Sequence, residues 1–379
     1  MKIVAHKLKD DRFENWREMH EWEYDDWRAD PAARAGWISF DCLAYDPERD
    51  DMYCGVSSFD SDIFYRFRRS TGQFELIDTH VFSGSEFDAK FHRSLEWDDQ
   101  GKLWAATALF HDVDRYLDAP GGKLLRFDPE TDQLEHVGTP LKHVYIQAIA
   151  LDLERRILYA TTFTPEYLLR YDMDTGQVRK LTLLGPGFDL AQPEKFCLDS
   201  SGHVWCTWRV TRAFSYDRSG MAPFRLLRYD PEVDRITFYR HGIPPVCHGD
   251  DGKIESMVNG RDGFLYLGSA AGALYRLNPD NAEVSFIAKP ACGPRLTSFA
   301  HGPDGLLYFA SGRPRPHLFR FNPENDHIED LGLIRDDDLA ETCWQVHDIV
   351  VTEDGSAFCG ENDVPHRSGY LWECRIDRA

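Results

Sequence analysis

Side chains that bind anions and exchange protons occur at similar points along this sequence, in the loops that lead into short apolar runs. His92 and Arg93 precede one such run, and Gln345 and His347 precede another. Arginine binds carboxylates through paired hydrogen bonds, whereas histidine and tyrosine exchange protons near neutral pH. These residue types therefore predict a site that binds an acidic ligand and moves protons.

The candidates divide into three groups by the chemistry of their side chains. Proton transfer is assigned to two imidazoles and a phenol, His92, His248 and Tyr145. Substrate binding is assigned to cationic groups, Arg93, Arg209, Arg212, Arg295 and Lys253. A divalent ion (Mn²⁺, Ca²⁺, Mg²⁺ or Zn²⁺) would take its ligands from His347, Gln345 and Glu255, with His92 and His248 as further donors. For each residue taken singly, a structural ion pair is the competing interpretation.

The elements that position these side chains belong to an internal repeat. Seven short apolar runs carry a central aromatic residue, namely Tyr53, Trp104, Tyr159, Trp205, Tyr266, Tyr308 and Phe358. A strand, turn and strand follow most runs, as in residues 124–137, whose Asp-Pro turn is typical of a hairpin. One more apolar segment precedes each run, which makes four strands in about 50 residues. The repeat predicts an all-β, seven-bladed β-propeller.

The two ends of the sequence indicate how the ring closes. The seventh copy stops after its third strand at 370–377, whereas residues 2–8 alternate like a strand. We expect this N-terminal strand to complete the seventh blade and to remove an exposed sheet edge. Residues 10–36 lack alternation and predict a helical segment, either a structural cap or a substrate lid. Residues 1–379 are expected to form a single propeller domain.

Composition restricts the classes of partner. The chain has 64 acidic and 43 basic side chains and a formal net charge of −21, so its field repels nucleic acids and anionic membranes. No apolar stretch is long enough to span a bilayer. Nine cysteines without a CxxC pair, and no N-glycosylation sequon, are typical of a cytoplasmic protein. We therefore expect a cytoplasmic location and an anionic small molecule or oligosaccharide as the ligand.

The repeat resembles a broad group of seven-bladed propellers over the whole chain. This group includes the virginiamycin B lyase family, the SMP-30/gluconolactonase family, and propeller polysaccharide lyases such as oligogalacturonate lyase and rhamnosyl-glucuronate lyase. The polysaccharide lyases place His, Tyr and Arg at the channel mouth and act on a uronic acid. The resemblance therefore implies β-elimination, in which an Arg or a metal neutralises the carboxylate, a base removes the C5 proton, and an acid protonates the leaving oxygen.

Departures from those families leave two other hypotheses open. Gluconolactonase-type proteins carry an Arg-x-Asn-Asp-Gly segment where this chain has His92 and Arg93, and an Asn-Gly pair where it has residues 145–152. A sugar-lactone hydrolase is therefore the second hypothesis, and a non-catalytic propeller that binds a protein partner is the third. The Gln-Val-His sequence at 345–347 resembles the His and Gln metal ligands of oligogalacturonate lyases.

Overall fold

Seven four-stranded antiparallel sheets are arranged in chain order in a computed structural model of the protein. The structure describes residues 1–13, 24–60, 62–80, 82, 86–163, 165–185, 191, 193–210 and 223–376. In each sheet the first strand of the repeat lies innermost, and these innermost strands contact those of the neighbouring sheets. The predicted seven-bladed β-propeller is confirmed.

The first three blades each contain four consecutive strands. Blade 1 contains β2 (Ile38–Asp46), β3 (Asp51–Ser58), β4 (Phe64–Arg68) and β5 (Gln73–Leu76). Blade 2 contains β6 (Phe91–Trp97), β7 (Leu103–Thr107), β8 (Leu124–Asp128) and β9 (Gln133–Gly138). Blade 3 contains β10 (Tyr145–Asp152), β11 (Ile157–Phe163), β12 (Tyr167–Asp172) and β13 (Val178–Leu183).

Blades 4 to 6 repeat this order. Blade 4 contains β14 (Cys197–Leu198), β15 (Val204–Arg209), β16 (Phe224–Asp230) and β17 (Arg235–Phe238). Blade 5 contains β18 (Ile254–Asn259), β19 (Leu265–Ser269), β20 (Leu274–Leu277) and β21 (Val284–Ala288). Blade 6 contains β22 (Leu296–His301), β23 (Leu307–Ser311), β24 (His317–Asn322) and β25 (His327–Leu333).

Blade 7 is assembled from both ends of the chain. It contains β28 (Val346–Val351), β29 (Ala357–Glu361), β30 (Leu371–Arg375) and, as its outer strand, β1 (Lys2–His6). The short strands β26 (Arg335–Asp336) and β27 (Glu341–Thr342) form a hairpin before it. Strand β1 pairs antiparallel with β30, with Lys2 opposite Arg375. This pairing confirms the predicted closure of the ring.

The aromatic residue of each repeat is buried in the apolar layers between the blades. In four repeats the indole or phenol group donates to an aspartate in the preceding turn, because a buried N–H or O–H needs a partner. Trp104 donates to Asp98 at 3.0 Å, Trp205 to Asp199 at 2.8 Å, Tyr266 to Asp262 at 2.7 Å and Tyr308 to Asp304 at 2.8 Å. In these four repeats the aromatic therefore both fills the core and anchors its own turn.

Two short helices, α1 (Tyr24–Ala29) and α2 (Pro31–Gly36), precede blade 1. Trp27 of α1 lies 5.7 Å from Trp37 and 5.8 Å from Phe59, measured between ring centroids. The helices thus pack on the loops of blades 1 and 2 that join the second and third strands. Within the predicted helical segment 10–36, residues 14–23 lie outside the described residues. None of the helices described here is both long and apolar enough to cross a membrane.

Candidate metal centre at the mouth of the central channel

Most of the innermost strands have a shift in their pairing register close to their first residues. Register shifts interrupt the pairing of the first and second strands in blades 1, 2, 3, 5, 6 and 7. A shift of this kind leaves a residue unpaired and redirects its side chain. Each shift contains at least one polar residue, and the first in each is Asp41, His92, Gln147, Glu255, Thr297 or His347. Because each comes from a different blade, their side chains meet around the axis.

Blade 4 contributes its polar residue from a loop. Glu194 lies three residues before the short strand β14, and the adjoining backbone is attached to blade 5. The amide of Lys195 donates to the carbonyl of Glu255 at 3.0 Å, and the amide of Met257 donates to the carbonyl of Lys195 at 2.9 Å. These two bonds hold the backbone next to Glu194 against the first strand of blade 5, beside the channel.

Three side chains from blades 2, 4 and 7 converge on one point. His92 Nε2 lies 2.9 Å from Glu194 Oε2, and His347 Nε2 lies 3.5 Å from the same oxygen. One ligand atom from each residue lies within 4.8 Å of the other two. The side chains of His92, Glu194 and His347 are 6, 12 and 3% exposed. We call these three residues the triad.

Backbone carbonyls set the orientation of both imidazole rings. His92 Nδ1 lies 2.9 Å from the carbonyl oxygen of Gln147, and His347 Nδ1 lies 2.7 Å from that of Asp41. A carbonyl only accepts hydrogen bonds, so each Nδ1 carries the proton and donates it. In the neutral rings both Nε2 lone pairs then face the carboxylate of Glu194. Three acceptor atoms in this arrangement repel one another unless a proton or a metal cation lies among them.

The environment favours a neutral His347 beside an ionised Glu194. Burial and the nearby Arg93 guanidinium hold the pKa of His347 well below its ordinary value. Burial opposes ionisation of Glu194, but the attraction of His92 and Lys253 when they carry a positive charge, together with the hydrogen bonds of His347 and His92, outweighs it, so the pKa of Glu194 lies well below its usual range. Neutral imidazole and ionised carboxylate are the forms that bind a divalent metal.

A second group of charged residues surrounds the triad. Lys253 Nζ and Arg295 Nη2 each lie 4.0 Å from Glu194 Oε1. Glu255 contacts both cations, with Oε1 3.6 Å from Lys253 and Oε2 3.1 Å from Arg295. Arg295 also donates to Gln345 Oε1 at 3.3 Å, and it adopts φ +72, a conformation that is strained for a residue with a side chain. The two cations offset the carboxylates of Glu194 and Glu255, while Asp41 Oδ1 lies 3.9 Å from His347 Nδ1 and Asp363 is a further negative neighbour of Arg295.

A buried layer crosses the channel next to the triad. Arg93 lies 3.0 Å from Asp348 Oδ1 and donates to the carbonyl of Thr297 at 2.7 Å. Asp348 also accepts from the amide of Leu43 at 2.9 Å and from Ser298 Oγ at 2.5 Å. These contacts join blades 1, 2, 6 and 7. The layer of Arg93 and Asp348 lies between the triad and a further ion pair, in which Lys195 Nζ is 3.5 Å from Glu96 Oε1.

The structure brings together more than half of the residues predicted from sequence. His92, His347, Lys253, Arg295, Glu255 and Gln345 lie in or around the triad. Arg93, predicted to bind substrate, is buried in the layer beside them with its side chain 0% exposed. Arg209 stacks over Phe224 at 5.3 Å. Arg212 lies outside the described residues.

Two of the predicted proton-transfer residues are placed elsewhere. Tyr145 is buried among Phe87, Leu109 and Ala119, with its ring centroid 5.7 Å from that of His111. His248 is exposed in the turn that precedes β18. Conversely, sequence reasoning assigned no role to Glu194, which the structure places at the centre of the triad. A signal for such residues exists in the sequence, because most repeats have a polar residue within their first apolar segment. In blade 4 the first strand, β14, is only two residues long, so Glu194 lies outside it and does not show this pattern.

The fold and the triad together define a class of protein, the seven-bladed β-propellers with converging polar side chains at one mouth of the channel. Neither a protein-family model nor a curated protein matches the chain in sequence. The comparisons with solved structures therefore carry the remaining information on relatives.

Solved structures that match are similar in fold at low sequence identity. Virginiamycin B lyase from Staphylococcus aureus is 14% identical, with a TM-score of 0.60 over 89% of this chain and 95% of that one. U3-55K is 10% identical, with a TM-score of 0.61 over 99% of this chain and 98% of that one. The extracellular domain of a one component system from B. thetaiotaomicron is 11% identical, with a TM-score of 0.58 over 90% of this chain and 39% of that one. Identities this low establish the shared propeller fold alone.

Proposed function

We propose that the protein is a divalent-metal-dependent lyase that performs β-elimination on a uronic-acid-containing oligosaccharide. The observation that carries the proposal is the convergence of His92 Nε2, His347 Nε2 and Glu194 Oε2, with both Nδ1 atoms committed to backbone carbonyls. A carbonyl that accepts from the remote ring nitrogen is the usual support of a metal-bound histidine.

The donor set fits a transition metal. Metal–ligand distances of about 2.0 to 2.2 Å separate adjacent ligand atoms by about 3 Å, close to the 2.9 and 3.5 Å found between the triad atoms. Two imidazoles and one carboxylate suit Zn²⁺ or Mn²⁺ better than Ca²⁺, which takes oxygen ligands. Of the metal donors expected from sequence, the proposal keeps His347 and His92 and adds Glu194, whereas His248 lies elsewhere.

The other two expected ligands have different partners. Gln345 donates to Asn362 at 2.7 Å and to Asp363 at 3.1 Å, while its oxygen accepts from Arg295. Glu255 is engaged with Lys253 and Arg295. The proposal therefore places Gln345 and Glu255 around the centre, where they orient the cations that meet the substrate.

The charges around the triad support an anionic substrate. A divalent ion bound here would polarise a coordinated carboxylate as a Lewis acid. Arg295 and Lys253 are positioned to hold that carboxylate and to stabilise the negative charge that develops when the adjacent C–H bond breaks. The C5 proton then passes to solvent water, the electron pair of the C5–H bond forms the C4–C5 double bond, and the C4–O bond breaks as the leaving oxygen takes up a proton from water. His92, expected from sequence to be the base, has its Nε2 turned towards Glu194 and is assigned to metal binding instead.

Virginiamycin B lyase, one of the structural neighbours, is a lyase by name, and the property that it shares with this chain is the fold. All nine cysteines are free thiols, which supports the proposed cytoplasmic location. A sugar-lactone hydrolase remains the second candidate, because the same triad could activate a metal-bound water. The two reactions give different products and are separated by one set of assays.

The test is a paired assay on protein stripped of metal and reloaded with Mn²⁺, Zn²⁺, Mg²⁺ or Ca²⁺. Galacturonate, glucuronate and rhamnosyl-glucuronate oligosaccharides are followed by the ultraviolet absorbance of the new double bond, and sugar lactones are followed by acid release. We expect metal-dependent absorbance with a uronate, lost in Glu194→Gln and retained in Glu96→Gln, a matched change in the same channel. Acid release without any new double bond would replace the lyase with the hydrolase.

A further inference from the structure

Positive side chains continue outward from the triad on the same face of the propeller. Arg295 lies at the start of β22, and Arg313 and Arg315 lie in the loop between β23 and β24. Loops that enter a first strand and loops that join a second to a third strand open on the same face. The amide of Gly312 donates to the carbonyl of Arg295 at 3.3 Å, and this hydrogen bond holds the loop of Arg313 beside Arg295. Arg295, Arg313 and Arg315 therefore form a group of neighbouring cations on this face, which we call the cation track.

A cleft of about 370 Å³ lies along this track. Its walls are the two loops at 290–293 and 312–315, and its floor includes His317, Phe319 and Asp330. The loops touch at Gly293, where a Cβ atom would lie 2.7 Å from the amide nitrogen of Arg313. A side chain at position 293 would force the loops apart, so the shape of the cleft depends on this glycine.

The charges of the cleft favour an anion. Arg313 lies over the ring of Trp344 at 5.6 Å, and among the described residues no carboxylate lies within ion-pair distance of it, while the Asp363 carboxylate acts on it from farther away. Asp330, the acid in the lining, is engaged by His317 Nδ1 at 2.9 Å. By contrast, Arg320 on the adjacent strand is paired with Glu329 at 2.6 Å. Arg313 is therefore a cation held at the rim on an aromatic face, available to a ligand.

We infer that the cleft at Arg313 is a second anion subsite, which binds the next acidic residue of an oligomeric substrate. The inference rests on the proposed function and specifies it further, because it assigns a substrate with at least two carboxylates. One carboxylate lies at the triad with Lys253 and Arg295, and the other lies at Arg313. A chain of uronic acid residues carries a carboxylate on every sugar, whereas a single uronic acid provides one carboxylate and leaves the cleft empty.

The test is titration calorimetry of the metal-loaded protein with galacturonic acid, its trimer and the methyl-esterified trimer. We expect the trimer to bind more tightly than the monomer and esterification to remove the gain. Arg313→Gln should lower the ratio of trimer to monomer affinity about tenfold, the loss expected for one charge-assisted hydrogen bond. Arg261→Gln removes an exposed charge from the opposite face and should leave the ratio unchanged. Arg313 is exposed, so its replacement should not affect folding, and Arg315→Gln provides a second variant.

Each other result identifies which proposal fails. If the ratio of trimer affinity to monomer affinity is the same in the wild type and in Arg313→Gln, the subsite is overturned. The subsite is also overturned if Arg261→Gln lowers this ratio as much as Arg313→Gln does. If the lyase assay still reports a double bond in that case, the proposed reaction stands without the subsite. A ratio that depends on Arg313 with no double bond formed supports the subsite and contradicts the lyase. Absence of binding by every saccharide overturns both.

Discussion

At the scale of single residues, the chemistry of the channel mouth depends on the hydrogen bond that Nδ1 of each triad histidine makes. His92 and His347 both donate from Nδ1 to a carbonyl, and this leaves Nε2 as the atom that faces Glu194. The carbonyls belong to Gln147 and Asp41, which are themselves at register shifts of neighbouring blades. The backbone of one blade thus fixes the ring orientation of another.

Loss of a triad residue should abolish specific metal binding. Replacement of an outer-shell partner commonly costs 10 to 100-fold in metal affinity, so we expect His347→Ala and Glu194→Gln each to lower the affinity for Zn²⁺ or Mn²⁺ by more than about 100-fold. Titration calorimetry after removal of metal by a chelator measures the change, with Glu96→Gln as the control. Affinity in Glu194→Gln within a few-fold of the wild type would refute the assignment of Glu194 as a ligand.

Part of this site is predictable from the sequence, whereas the positions of the other residues depend on register shifts that the sequence does not reveal. His92, His347, Lys253 and Arg295 are recognisable because they lie at the start of the first strand of a repeat or directly before it. Tyr145 was assigned to the same site, but the register shift between Ile146 and Ala148 breaks the alternation of β10, so Tyr145 and Gln147 no longer share a face. A bulge of this kind leaves no mark in hydrophobic periodicity.

At the scale of elements, the closing strand β1 shows how a buried ion pair contributes to the ring. Glu373 of β30 lies 3.0 Å from His6 Nε2 of β1 and accepts from Arg375 Nη2 at 2.9 Å. Burial would raise the pKa of Glu373, but these hydrogen bonds lower it to about 2. The folded state therefore binds this proton more weakly than the unfolded chain, in which a glutamate titrates near pH ~4.3.

The stabilisation from Glu373 should disappear in acid. It is present in full above pH ~4.3 and is lost as the pH falls towards the folded pKa of about 2. We expect Glu373→Gln to lower the free energy of unfolding by about 1 to 3 kcal/mol at neutral pH, and the difference from wild type to shrink steadily below pH ~4. Urea unfolding at a series of pH values measures this difference. A difference that stays constant from pH 7 to pH 3 would show that Glu373 contributes by packing rather than by charge.

At the scale of the whole molecule, the fold followed from the sequence because its information is local and repeated. The aromatic at the centre of each run, the Asp-Pro turns and the missing last strand are all visible in one dimension, and they predicted the blades and their closure. The interior of the channel depends instead on which blades face one another across the axis. Contacts such as Arg93 with Asp348, 255 residues apart in the chain, have no signature in a single sequence.

The Arg93–Asp348 layer should be essential to the closed ring. Both side chains are almost fully buried, and removal of one partner leaves an uncompensated charge, which costs about 3 to 5 kcal/mol. We expect Arg93→Met to lower the free energy of unfolding by that amount, measured by urea unfolding. The double variant Arg93→Met with Asp348→Leu should recover part of the loss, since no buried charge remains. A single variant as stable as the wild type would contradict a structural role for this layer and return Arg93 to the substrate-binding group.

The central claim is that His92, Glu194 and His347 hold one divalent metal ion at the channel mouth. Anomalous diffraction from crystals of the protein soaked in MnCl₂, with data from Glu194→Gln crystals treated in the same way, tests it most directly. We predict a single strong peak at about 2.0 to 2.2 Å from His92 Nε2, His347 Nε2 and a Glu194 oxygen, and no peak there in the variant. A triad without a peak, or a peak that persists in Glu194→Gln, would contradict the claim.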